Sequence, residues 1–279
     1  MHTTLPGQYV QVFTLTTDEA TCTIDVERGA RLASLTVFGH QLLVARDGPD
    51  DLFGWGSFVM APWAGRIRRG HFSWDGVDHQ MPINFPPHSI HGTAYGTGWE
   101  VVNADSTSVE LSLELVEPWP FPGQVRQRIE LVDAALLQQI QIHASEISMP
   151  ASAGWHPWFL RDIGTGAPMI LDVDMDGVRK YAKDADGIPT GELVAVPPGP
   201  WDDCFTGLKG ITLRWPGALA IDVDHLCPYV VIYTEPDHAL CVEPQTAPPD
   251  MVATVGDGCR VDPGAPLIAD TAWRWRQLK

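Results

Sequence analysis

A large antiparallel β-sandwich is the fold class that this 279-residue chain predicts, and three observations carry the prediction. Apolar and polar residues alternate in segment after segment, the pattern of strands with one buried face. No segment of twelve or more residues holds a clear helical period. The 24 prolines and 26 glycines are spread evenly, as many short strands joined by turns require. A hydrophobic fraction of 44% supplies a sizeable core. With no internal repeat, low-complexity tract or linker, residues 1–279 are expected to form a single domain.

The elements follow in order. Residues 71–74 and 77–80 flank Asp75-Gly76, a dipeptide that tolerates the two positive φ angles of a type I′ hairpin turn. Residues 108–115 put Val109, Leu111, Leu113 and Leu115 on one face, and residues 137–143 and 271–276 alternate in the same way. Asp172, Asp174, Asp176 and Gly177 imitate the start of an EF-hand loop. Its twelfth position is Lys183 instead of a bidentate glutamate, and helices are lacking, so a surface strand leading to a turn is expected. Residues 213–215 and 218–221 are joined through Pro216-Gly217, a weaker hairpin signal, because proline in the first loop position suits a type II turn. Residues 229–234 are nearly continuous in β-branched and aromatic side chains, which predicts a strand buried on both faces. Strand edges and long loops are expected to supply the functional site.

Composition excludes several functions. The net charge is −17, and the one basic cluster, Arg66-Ile-Arg68-Arg69, is too short to follow a phosphate backbone, so nucleic acid is not an expected partner. No run of about 18 apolar residues exists, which predicts no membrane span. The first seven residues lack the basic and apolar regions of a signal peptide, and the expected location is cytoplasmic. Five scattered cysteines, none in a Cys-x-x-Cys spacing, read as reduced thiols. His71, His79, His88 and His91 do not form a metal site, because Pro86, Pro87 and Gly92 deny the helix that a His88/His91 spacing would need. Neither a Gly-x-Ser-x-Gly elbow nor a nucleotide-binding loop is present.

Three segments hold chemistry. Ala151-Ser-Ala-Gly-Trp-His156-Pro-Trp-Phe159 offers an imidazole, and Cys241-Val-Glu243-Pro-Gln245 offers a carboxylate. A His and a Glu on opposite sides of a small molecule can give and take a proton together. Ala61-Pro-Trp-Ala-Gly-Arg66 brings a guanidinium out of an apolar approach, and sugar hydroxyls are suitable acceptors for it. Trp63, Trp155, Trp158 and Trp201 lie beside these polar residues, where flat sugar faces could stack. Each has a plainer reading when taken alone: a satisfied structural histidine, a strand-end carboxylate, a salt-bridged surface arginine, core tryptophans.

The motifs together resemble a known family. From about Gly29 onward the chain carries the block 61–76, with its Gly65-Arg66-Ile67 and Asp75-Gly76; Met81-Pro-Ile-Asn84; Ser89-Ile-His91-Gly92 with Trp99 behind it; and Phe121-Pro-Gly123. It continues with His156-Pro-Trp-Phe159, Ile188-Pro-Thr-Gly-Glu192, Asp202-Asp-Cys-Phe205, and Val242-Glu243-Pro-Gln245 leading to Pro249-Asp250. Eight fragments in this order are similar to the aldose 1-epimerases, or galactose mutarotases.

The resemblance implies a β-sandwich of the galactose mutarotase type and an isomerase that interconverts the α and β anomers of a free aldose. It implies Glu243 as catalytic base, His156 as catalytic acid, and Arg66, His91, Asp202 and Trp158 as sugar-binding residues. Asp202 is preferred to Asp203 because it lies three positions before Phe205. No metal or redox cofactor is implied, the partner is a small aldose, and a homodimer is left open. Three departures bear on sugar specificity: Gly65 where the family carries asparagine, Pro157 after the histidine, and Trp158 in place of tyrosine. The mechanism requires an imidazolium at His156 beside a carboxylate at Glu243. Three other readings stand beside it: a non-catalytic sugar-binding protein, an epimerase of hexose 6-phosphates using Arg68, Arg69 and Arg161, and a glycoside hydrolase using Asp202 and Glu243.

Overall fold

The computed structural model describes residues 11–48 and 51–279. The signal-peptide reading of the first seven residues therefore lies outside the described part. Two large antiparallel sheets dominate. The eight-stranded sheet runs in the order Glu100–Ala104, Ser108–Leu115, Gly123–Val132, Ala135–Ala144, Leu267–Gln277, Leu219–His225, Ile211–Trp215 and Ile170–Val173. The twelve-stranded sheet has Ser57–Met60, Gly154–Pro157, Ala239–Gln245, Tyr229–Tyr233 and Asp202–Thr206 at its centre. The sheets pack face to face over one core, where Phe159 meets Trp273 at 4.8 Å between ring centroids. Trp215 Nε1 donates to Leu160 O across the layers at 2.9 Å.

Local chemistry accounts for these elements. Asp75 and Gly76 adopt φ of 48° and 80°, and Trp74 pairs with Val77, so the first hairpin has the expected two-residue loop. At Pro216-Gly217 the Ala218 N–H donates to Trp215 O and Gly217 takes φ of 78°, the positive angle a type II turn places there. Trp215 pairs with Leu219, so this loop takes three residues. Val109, Leu111 and Leu115 are buried, and Leu113 packs against the same core. Trp273 and Trp275 point inward from the last strand. Asp172 lies in the outer strand Ile170–Val173, bonded to Arg214, and Asp174 accepts from the Asp176 N–H in the turn that follows. Among the described residues the one α-helix is Met251–Val255.

In Ala135–Ala144 the expected alternation holds, with Leu136, Gln138, Ile140 and Ile142 inward and Leu137 outward. One expectation needs correction. The strand Tyr229–Tyr233 is buried toward the core only through Val230 and Ile232; Val231 and Tyr233 face a cavity on the other side. Its continuous apolar run is explained by that second duty, because a ligand pocket also needs apolar walls.

Candidate active site

Period two decides which side chains reach the outer face of the twelve-stranded sheet. In Ala239–Gln245, Leu240 and Val242 enter the core, which turns Cys241, Glu243 and Gln245 to the opposite face. In Gly154–Pro157, Trp155 enters the core and His156 is turned outward beside them. The strands are antiparallel neighbours. The pairs Gly154–Gln245 and Phe159–Leu240 bracket the register so that position 156 lies opposite position 243. His156 Nε2 is 3.3 Å from Glu243 Oε1.

Both side chains are buried, His156 to 7% and Glu243 to 3% exposure, on the floor of a cavity of about 420 Å³. Arg66, His91, Trp158 and Asp202 line the same cavity, so all six residues singled out in the sequence meet there. The pair is side by side, not on opposite sides of a ligand, as expected above. Nor do strand edges supply it: it stands in mid-sheet, with loops contributing the walls.

Two of those walls come from a tight crossing. Arg66 pairs with Ile90 in a short two-stranded ribbon. The Gly65 N–H donates to His91 Nδ1, and the His91 N–H donates to Gly65 O. Nδ1 is thereby an acceptor, which leaves the neutral His91 ring its proton on Nε2. Gly92 is held against Ala61, where a Cβ would sit 1.9 Å from the carbonyl oxygen. Gly65 has φ of +71°, and a Cβ there would meet Pro249 at 2.7 Å. Pro249 therefore closes the space that the family's asparagine would take.

Asp202 points into the cavity between Arg66 at 3.7 Å and Lys183 at 3.5 Å. Asp203 also reaches the lining, but Lys180 at 2.7 Å and Lys183 at 3.4 Å engage it. Arg66 lies over the Phe85 ring at 5.5 Å. Of the four tryptophans expected beside the site, only Trp158 is in it. Trp63 and Trp155 are core residues, and Trp201 packs against Phe205. Strand alternation is the reason for Trp155: adjacent residues cannot share a face.

The electrostatics of the floor depart from the expected imidazolium. His156 is stacked between Phe58 at 4.8 Å and Trp158 at 5.3 Å, with the His91 ring edge-on at 5.0 Å. Burial pushes its pKa well below the usual imidazole range, and the Arg31 cation pushes the same way. Burial lifts the Glu243 pKa well above the carboxylate range; Asp202 adds to this and Arg66 opposes it. The two shifts agree: one proton held by the pair rests on Glu243, leaving both groups neutral. Burial also keeps His91 neutral, helped by His156 and Arg66.

His156, Cys241 and Glu243 place their ligand atoms within 4.8 Å of one another, a donor set that suits a thiophilic divalent cation. The other histidines are engaged elsewhere: His88 accepts from the Arg69 N–H and contacts Asp186 O, and His71 lies 3.6 Å from Asp78. Sequence reasoning missed Lys183, Tyr181, Tyr233, Phe53 and Phe85 in the lining. Lys183 surfaced only as the wrong residue in a calcium loop. Phe58 and Arg31, which pack behind His156, carry no sequence signal at all.

Comparison with known proteins identifies the family and the fold. The aldose 1-epimerase family model matches residues 11–272. The uncharacterized protein YihR of Escherichia coli is 26% identical over 170 residues, which cover 58% of this chain and 54% of that protein; the chain spans about half the length of this relative. A galactose mutarotase-like protein from Clostridium acetobutylicum superimposes with a TM-score of 0.82 at 18% identity, over 96% of this chain and 95% of that one. A galactose 1-epimerase from Lactobacillus acidophilus does so with a TM-score of 0.78 at 16% identity, over 95% and 94%. The fold is thus the galactose mutarotase-like sandwich, and the chain belongs to the aldose 1-epimerase family.

Proposed function

We propose that the chain interconverts the α and β anomers of a free aldose, with Glu243 and His156 as its acid–base pair. One observation carries this reading: an imidazole and a carboxyl, 3.3 Å apart on a buried pocket floor. Anomerisation moves a proton off the C1 hydroxyl and another onto the ring oxygen. Those two oxygens share one carbon, so the donor and acceptor must themselves be neighbours. Side-by-side placement serves this better than placement across the sugar.

With the pair in its charged form, the Glu243 carboxylate takes the C1 hydroxyl proton and the His156 imidazolium protonates the ring oxygen. The ring C–O bond breaks, the aldehyde forms, and the pair is left neutral, still holding one proton. Rotation about C1–C2 and reversal of the transfers close the ring on the other face. Burial favours the neutral form, so the charged form is reached by passing the pair's one proton from Glu243 to His156 before the ring opens, and Arg66 beside Glu243 favours the carboxylate this creates. Asp202 and Nε2 of His91 are suited to the remaining hydroxyls, and Trp158 to an apolar sugar face.

A free sugar fits better than a phosphorylated one. Arg68 is bound by Asp184 and Asp186, Arg69 lies 3.8 Å from Asp186, and Arg161 donates to the carbonyls of Thr234, Pro236 and Ala239. Lys183 faces Asp202 and Asp203. The cations that could take a phosphate thus already face acceptors.

Polarimetry of α-glucose and α-galactose tests the proposal. Glu243→Gln and His156→Asn should each lower the catalysed rate by about 10²–10⁴-fold, the range of a positioned acid or base. Two folded variants at full rate would refute the assignment, and preference for 6-phosphorylated sugars would overturn the substrate class.

A further inference from the structure

The cavity carries at its mouth an apolar ring that the proposed mechanism does not use. Phe85 lines the same pocket as Glu243 and His156 and is 44% exposed. Its backbone is tied down. The Phe85 N–H donates to His88 O at 3.1 Å, and the His88 N–H donates back to Phe85 O at 2.8 Å. On one side Asn84 accepts the Ile90 N–H and donates to Ile90 O and to the Tyr95 hydroxyl. On the other, His88 is buried, its Nδ1 accepting from the Arg69 N–H and its Nε2 lying 3.1 Å from Asp186 O. A fixed loop therefore holds the ring out; its exposure is not the fraying of a loose segment.

The other aromatic side chains of the pocket have their ring surfaces engaged. Trp158 stands in a column, with His156 stacked on it at 5.3 Å and 22° and His238 parallel to it at 6.3 Å and 7°. His156 precedes Trp158 by two residues, whereas His238 lies alongside Arg161, whose N–H donates to His238 O. The two imidazoles thus flank the indole from opposite ends, and Tyr233 meets it edge-on at 5.9 Å. A sugar reaches the rim of Trp158 more readily than its faces. Phe53 packs against Tyr95, Phe58 and His91, and Tyr181 packs against Tyr229. No described aromatic ring packs on Phe85. The Arg66 guanidinium lies over it at 5.5 Å, held by Asp202 at 3.7 Å and Gly187 O at 3.4 Å. A benzene ring has two faces, so one is left for a ligand.

A pyranose presents C–H bonds on its faces and hydroxyls at its edge. Its slightly positive C–H hydrogens match the negative face of a benzene ring, and covering both surfaces removes apolar area from water. Arg66 beside the ring supplies donors for the hydroxyl edge. We propose that Phe85 is a substrate-binding residue that stacks on the apolar face of the pyranose, over carbons remote from C1. The identity of the ligand rests on the mutarotase reading. Opening the ring C–O bond at C1 leaves those carbons in place. The contact is then equally strong before and during the reaction, so it serves affinity and not rate.

The test is saturation-transfer nuclear magnetic resonance with D-galactose and D-glucose, irradiating the aromatic protons of the protein, with steady-state mutarotation kinetics beside it. In the wild type, saturation should pass to C–H protons of the sugar. Phe85→Ala should largely abolish that transfer and raise KM about tenfold, the loss expected for one partly buried aromatic contact, with a far smaller change in kcat. Phe85→Trp, which keeps a ring face, should restore both. Should Phe85→Ala not fold, Phe85→Leu, which keeps bulk without a ring, carries the same test. A folded Phe85→Ala with wild-type KM and transfer would overturn the proposal. So would a fall in kcat with KM unmoved, because the ring would then act only through Arg66. If neither sugar binds the wild type, the stacking and the functional reading both fail. If transfer depends on Phe85 but the protein does not accelerate mutarotation, the stacking stands and the functional reading fails. If mutarotation depends on Glu243 and ignores Phe85, only the stacking fails.

Discussion

Replacing Glu243 by glutamine should remove catalysis and, above about pH 5, strengthen the fold. The ordinary pKa of Glu is near 4.5 and that of His near 6.5, and the folded protein raises the first and lowers the second. A carboxyl whose folded pKa is raised stabilises the fold below its unfolded pKa, and that contribution is lost as pH climbs toward the folded value. An imidazole whose folded pKa is lowered contributes above its unfolded pKa and loses the contribution as pH falls. Between about 4.5 and 6.5 the two slopes cancel, because folded and unfolded chains both hold one proton on the pair. Above about 6.5 only Glu243 acts, and stability falls by about 1.4 kcal/mol per pH unit. Glu243→Gln deletes the carboxyl's share, so its advantage over the wild type should grow as pH rises above about 5, by at most that slope per pH unit. Urea unfolding followed by tryptophan fluorescence at pH 5, 6, 7 and 8 reads the difference. A stability gap that is flat with pH, or that shrinks as pH rises, would refute the claim that burial puts the proton on Glu243.

Two further outcomes follow from the site. Gly65→Asn, which restores the residue common in the family, should destabilise the fold by about 1–3 kcal/mol and raise KM, because the left-handed backbone and Pro249 leave no room for a side chain; thermal unfolding and initial-rate kinetics check both. Zinc ions should inhibit competitively with sugar through His156, Cys241 and Glu243, and Cys241→Ala should weaken inhibition about tenfold or more. Inhibition that ignores Cys241 would place the ion elsewhere.

Much of the architecture was legible without coordinates because its causes are local. Alternation along a strand depends only on neighbouring residues, so the inward Val109, Leu111, Trp273 and Trp275 could be read directly. Asp75-Gly76 marked its turn because few dipeptides accept two positive φ angles. The same reasoning failed where a second surface competes. Val231 and Tyr233 looked like core and are pocket wall; Trp155 looked like a sugar platform and is core. Composition cannot tell one apolar environment from another.

By itself, the amino-acid order determined the strands, the principal hairpin, and six side chains whose motifs resemble one family. Only the folded molecule decided that residues 156 and 243 stand in register on adjacent strands, and that they do so side by side. It alone brought Arg31 and Lys183 to the pair and its cavity. The reason is physical: cross-strand register and the field of a buried charge depend on groups far apart in the chain, and neither leaves a mark on the short stretches where periodicity and turn chemistry are read.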